Sequence, residues 1–124
     1  MRKALILSIV LMLAGAVSLH AQSLKGTNWK LYISELNDTL TFHVRGDSTF
    51  VTDGSGEIVV RSACRISKDT ITMKDIDGKY ACADQVGVYT YKFNADALTL
   101  TLVSDPCDNR SNSISGARWI RAKD

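Results

Sequence analysis

GVYTYKFNADALTLTLVSD, residues 87–105, holds two runs with the same apolar spacing on either side of a short polar connector. In the first run Tyr89, Tyr91 and Phe93 alternate with Val88, Thr90 and Lys92; in the second Leu98, Leu100 and Leu102 alternate with Thr99 and Thr101. Alternation with period two marks a strand with one buried face. The connector Asn94-Ala95-Asp96-Ala97 has a common hairpin length and sets Phe93 against Leu98, Tyr91 against Leu100 and Tyr89 against Leu102. Continuing that ladder puts residue 109 opposite Cys82, with Cys107 two positions away, so the register predicts a Cys82–Cys107 disulfide.

The same alternation recurs outward from this hairpin. Trp29, Leu31 and Ile33 share one face of a first strand over Leu24 to Ile33, and Leu40, Phe42 and Val44 share one face of a second, with His43 on the other. Ser48 to Thr52 carries Phe50, Glu57 to Ile66 carries Ile58, Val60, Cys64 and Ile66, and Thr70 to Lys74 carries Ile71 and Met73. Asp75 to Gly78 reads as a loop and Tyr80 to Ala83 as a further short extended run. Ala117 to Arg121, with Trp119, is the last strand, and a single helical turn before it would have Asp105 as cap and Pro106 at its first position. About eight short strands separated by Gly, Asn and Asp turns, without a helix-period segment, predict an all-β antiparallel meander. Closure into an up-and-down barrel removes exposed edges and is the favoured architecture.

The amino terminus reads differently. Arg2 and Lys3 precede the apolar run Ala4 to Leu13, and Leu19-His20-Ala21-Gln22 offers a small residue at a cleavage point, so residues 1–21 are expected to be a Sec-type signal peptide and residues 22–124 the mature domain. Ala14-Gly15-Ala16 offers a second cleavage point, after Ala16. Ala16 also stands where a lipobox would carry its cysteine, which argues against a lipid anchor. The run is too short to span a bilayer, which takes roughly 18 or more consecutive apolar residues, and none that long follows. The expected location is secreted or periplasmic. Of 15 Lys and Arg, Arg2 and Lys3 leave with the signal, so 13 basic residues face 13 acidic ones. A near-neutral domain has no basic field for nucleic acid.

Catalytic chemistry has little to draw on. His20 belongs to the signal, leaving His43, which shares the outward parity of its strand; no Ser-His-Asp or Cys-His arrangement is legible, and one histidine with one spare cysteine makes no zinc site. A non-enzymatic protein without a metal or cofactor is expected. Cys64 reads as a buried free thiol acting as a small hydrophobe. Asp75-Ile76-Asp77-Gly78 lacks the remaining ligands of a calcium loop, and Arg45-Gly46-Asp47 reads as a turn.

Taken together, Gly26 and Trp29, the eight-strand meander, Cys82, Gly87 to Tyr91, Leu98 to Leu100, Asp105 to Arg110 and Trp119 to Arg121 resemble the small secreted bacterial lipocalin-like proteins of the calycin group. The resemblance implies that Trp29 is packed at the closed barrel end by Arg121 or Arg118. It also implies that a small apolar or amphipathic molecule is bound in the interior, with Phe42, Phe50, Tyr89 and Tyr91 as its walls. An eight-stranded barrel can instead be filled by its own side chains. The alternative function is then an envelope or extracellular protein-interaction or inhibitor module acting through its loops.

Overall fold

The computed structural model describes residues 23–123; the segment expected to be a signal peptide, with both expected cleavage points, lies outside the described residues. The elements run β1 (Asn28–Ile33), β2 (Asp38–Val44), β3 (Ser48–Thr52), β4 (Ile58–Ser67), β5 (Thr70–Asp77), β6 (Val86–Asn94), β7 (Ala97–Ser104), α1 (Asp108–Ile114) and β8 (Arg118–Arg121). Each strand pairs antiparallel with the next, and β8 returns to β1 to close the barrel. Closure satisfies the backbone groups that an open sheet would leave at its edges. No described helix is long and apolar enough to cross a membrane.

The hairpin β6–β7 has the register its spacing predicts: Phe93 opposite Leu98, Tyr91 opposite Leu100 and Tyr89 opposite Leu102. The ladder then slips, because Val88 pairs with Ser104 and leaves Val103 as a bulge, 59% exposed. Leu102, expected inward, is 43% exposed beside it. Two further bulges interrupt β3–β4, where Val51 opposes Val60 and Thr52 opposes Ile58, and β4–β5, where Arg61 opposes Asp77 and Ser62 opposes Asp75. A bulge adds one residue to one strand and increases its twist, a common device at barrel rims.

Two other expectations need correction. Phe50 is not inward: Thr49 is buried, while Phe50 pairs across the strand with His43 and stacks on its ring at 4.3 Å and 8°. Ser48 to Thr52 holds adjacent apolar residues, Phe50 and Val51, so parity alone does not choose a face, and Val51 is the one that packs on the core. Tyr80 to Ala83 is not a strand; its one β-bridge is Asp75 to Ala83, with Tyr80 N also donating to Val59 O at 3.0 Å, while β5 continues through Asp77.

The two barrel ends differ. At one, Leu24 and Trp29 are fully buried, Trp29 Nε1 donates to Thr27 Oγ1 at 2.7 Å, and the Arg121 guanidinium lies 4.6 Å over the indole. Arg121 is the residue that meets the tryptophan, because it is the cross-strand partner of Trp29. Arg118 instead pairs with Thr99 and is exposed. The other end is surrounded by the loops after β1, β3, β5 and β7, and by α1.

Candidate functional site

The open end leads into a cavity of about 730 Å³. Its inner wall carries Leu31, Leu40, Phe42, Val51, Met73, Leu100 and Trp119, supplied by the inward positions of six strands. Its mouth carries Tyr32 and Leu36 from the β1–β2 end, Lys79 and Tyr80 from the β5–β6 loop, and Asn109, Arg110 and Asn112 from α1. A largely apolar chamber with a few convergent polar groups is the usual form of a small-molecule site, and this volume falls within the roughly 300–1,000 Å³ such sites occupy.

Those polar groups are built around Arg110. Cys107 rather than Asp105 caps α1, its sulfur accepting from Arg110 N at 3.4 Å, and the first helical turn directs Arg110 toward the barrel wall. Asp105 performs a different task. Its carboxylate accepts from Arg110 Nε at 2.7 Å, from Arg110 Nη2 at 2.8 Å and from Cys107 N at 2.9 Å, and it also accepts from the Tyr89 hydroxyl. Asp75, 3% exposed, faces Arg110 Nη1 at 3.0 Å while accepting from Ser62 Oγ at 2.6 Å and Cys82 N at 2.8 Å. The β4–β5 register makes this possible: it runs unbroken from Ser67 opposite Thr70 to Ser62 opposite Asp75, and the bulge comes only after that pair. Gly87 leaves room for the pair: a Cβ there would lie 2.7 Å from Asp105 Oδ2 and 3.0 Å from Arg110 Nη2. The bidentate contact between Arg110 and Asp105 is the strong, directional form of a carboxylate–guanidinium interaction.

The network moves its members' protonation in opposite directions. Burial alone would raise the Asp105 pKa, but donation from Arg110, Tyr89 and Cys107 N outweighs it and holds the carboxyl below the ordinary 3.8. Burial first, and then the neighbouring Asp105 carboxylate, push the Tyr89 phenol above its ordinary 10.0. Burial works against the charge on Arg110, yet its hydrogen bonds to Asp105 and the field of both carboxylates keep it protonated even more firmly.

These shifts have a pH signature. As pH falls below 3.8 the unfolded chain takes up a proton that folded Asp105 refuses, so its contribution is full above that value and fades through the lower folded one. As pH rises past 10.0 the unfolded chain releases a tyrosine proton that folded Tyr89 retains, so that contribution is full below and fades above. Urea unfolding across pH should show both losses. Asp105→Asn should flatten the acid limb and Tyr89→Phe the alkaline limb; unchanged limbs in both variants would refute the assignment.

The Cys82–Cys107 disulfide joins the β5–β6 loop to the cap of α1 across a sequence separation of 25. The predicted pair is therefore bonded, although by another route: β6 begins at Val86, so Cys82 sits in the loop and no ladder carries it to Cys107. A ring of this size restricts the unfolded chain by about 3.5 kcal/mol on the chain-entropy scale. Reduction is expected to lower unfolding stability by about that amount. Loss of protection should be greatest at the amides of α1, where hydrogen exchange would detect it. Cys64 stays free and half-buried, donating to Gly46 O at 3.2 Å; burial and then Asp47 raise its pKa, which makes it a poor nucleophile.

Of the four expected wall residues, Phe42 lines the cavity. Tyr89 is fully buried with its hydroxyl committed to Asp105, and Tyr91, half-buried, donates to Lys68 O at 2.6 Å beside the β4–β5 turn. Phe50 is on the outer face, where His43 meets it, Arg45 lies 5.5 Å over its ring, and the imidazole bonds Asn28 Oδ1 and Thr52 Oγ1 at 2.9 Å each. The residues missed were Asp75, Arg110 and Trp119 as parts of one wall. Asp75 falls in a stretch that reads as a loop; its signal is the odd parity it shares with inward Ile71 and Met73, although exposed Asp77 shares it too. Comparison with protein-family models, curated proteins and solved structures finds no match to this chain.

Proposed function

We propose that this is an exported, non-enzymatic, lipocalin-like protein that holds one small, mainly apolar molecule inside its barrel. The observation that carries the reading is the cavity of about 730 Å³, walled by Leu31, Leu40, Phe42, Val51, Met73, Leu100 and Trp119 and open between the β1–β2 end and α1. Apolar surface of a guest enclosed there leaves water, at roughly 25 cal/mol per Å² before the cost of immobilising it. The cavity favours this reading over a barrel filled by its own side chains. The motifs around Cys82, Gly87 to Tyr91, Asp105 to Arg110 and Trp119 to Arg121 support the lipocalin-like assignment, and the Cys82–Cys107 disulfide supports an oxidising compartment.

Native mass spectrometry of the mature protein purified from its own compartment, followed by denaturing extraction, tests the reading. A stoichiometric small-molecule mass that disappears on denaturation is expected. A bare protein mass, with no fluorescence gain from a panel of apolar dyes, would reject it in favour of an interaction module acting through its loops.

A further inference from the structure

Resting on the ligand-cavity reading, the structure assigns to Trp119 the role of a hydrogen-bond donor to the guest, and we infer that the guest is an electrically neutral molecule bearing a carbonyl-type acceptor. Trp119 lines the cavity, its ring centroid 5.7 Å from that of inward-facing Phe42. The side chain is 2% exposed, and its Nε1 has no hydrogen-bond partner among the described residues. The chain's other tryptophan shows the contrast: Trp29 Nε1 is satisfied by Thr27 Oγ1. A buried donor left unmade is costly, so a guest that brings an acceptor to the indole N–H gains an interaction no described side chain supplies.

The charge around the cavity selects a neutral guest over an anion. Both cations of the lining already face carboxylates: Arg110 meets Asp105 through two hydrogen bonds and Asp75 through an ion pair at 3.0 Å in which its Nη1 makes no hydrogen bond, and Lys79 lies 3.6 Å from Glu57. The Arg110 cluster holds two acids against one base, a net charge of −1. A carboxylate entering beside it would lose its hydration and gain no unclaimed cation. A ketone, ester or amide carbonyl pays a far smaller desolvation cost and offers the lone pair that the indole lacks.

Three probes on one skeleton separate these outcomes: cyclohexyl methyl ketone, ethylcyclohexane and cyclohexanecarboxylate. With 15N-labelled protein carrying the intact disulfide, the ketone should shift the Trp119 indole N–H proton downfield, leaving that of Trp29 in place, and ethylcyclohexane should not. Trp119→Phe keeps an aromatic wall and removes the donor. It is expected to weaken ketone binding about five- to tenfold relative to the hydrocarbon, the worth of one hydrogen bond to a buried donor. Binding of ketone and hydrocarbon with a static Trp119 signal and an unchanged affinity ratio in the variant would overturn the donor role and leave the cavity reading standing. Preference for the carboxylate would overturn the neutral-guest assignment. Failure of all three probes to bind would remove the cavity reading and this inference with it.

Discussion

Arg110→Met is expected to lower folding stability by about 3–5 kcal/mol at neutral pH, the usual cost of breaking a buried ion pair from one side. The substitution keeps most of the apolar stem and deletes the guanidinium that Asp75 and Asp105 share. Two carboxylates would then lie in the barrel wall without their cation, with Ser62, Cys82 N, Tyr89 and Cys107 N as their remaining donors. The acid response should change. In the parent protein Asp105 is held below its ordinary pKa, so its contribution stays level from pH 7 to about 4 and falls only below 3.8. In the variant Asp105 keeps its burial and loses Arg110, the chief group that lowers it, so its folded pKa rises above the unfolded one and the variant should gain stability as pH falls toward about 4. Urea midpoints between about pH 4 and pH 7 decide the matter. A loss under about 1 kcal/mol with the parent's pH slope would show that Arg110 does not hold the two acids. Since a domain of this size has only about 5–15 kcal/mol of net stability, the variant should also unfold at a visibly lower temperature.

Trp29→Ala carries the other large expectation, a loss of about 3–5 kcal/mol, as for other buried tryptophan truncations. Trp29 is fully buried, lies 5.7 Å from Phe93 between ring centroids, and receives the Arg121 guanidinium on its face. Removing the indole opens a void at the closed end and strips the aromatic surface from Arg121. Arg121→Met should cost only about 1 kcal/mol, because it removes a partly exposed cation–π contact and keeps the packing. Phe50→Ala is the control. An inward Phe50 would cost as much as a core phenylalanine, about 3–5 kcal/mol, whereas the outer-face stack with His43 predicts about 1 kcal/mol. Thermal and urea unfolding of the three variants rank them, and equal losses for Trp29→Ala and Phe50→Ala would contradict the face assignment.

Much of the barrel was legible because strand alternation is a local property. Trp29, Phe42, Ile71, Met73, Tyr89, Leu98 and Leu100 all follow period two and all reach the core. The spacing of the β6–β7 connector was enough to register that hairpin residue by residue. Where the pattern was locally ambiguous the reading failed, as at Phe50 beside Val51. It failed again where a bulge reset the parity, as at Leu102 beside Val103, since a one-residue slip moves every later side chain to the other face. The candidate site was less legible than the fold. Asp75 and Arg110 are 35 positions apart, and nothing local shows that an acid after an apolar run and a basic residue in a polar helix share a wall.

By itself, then, the sequence determined the all-β meander, the inward face of most strands and the register of the β6–β7 hairpin. These follow from short-range periodicity and the length of the hairpin connector. Only the tertiary structure decided that Arg121 rather than Arg118 meets Trp29, that the chamber stays open beyond Trp119, and that Asp75, Asp105 and Arg110 form one buried cluster at its mouth. Barrel closure sets those distances, because pairing β8 with β1 and bringing α1 back onto the β5 wall depends on how neighbouring strands twist against each other, which no single strand's sequence encodes.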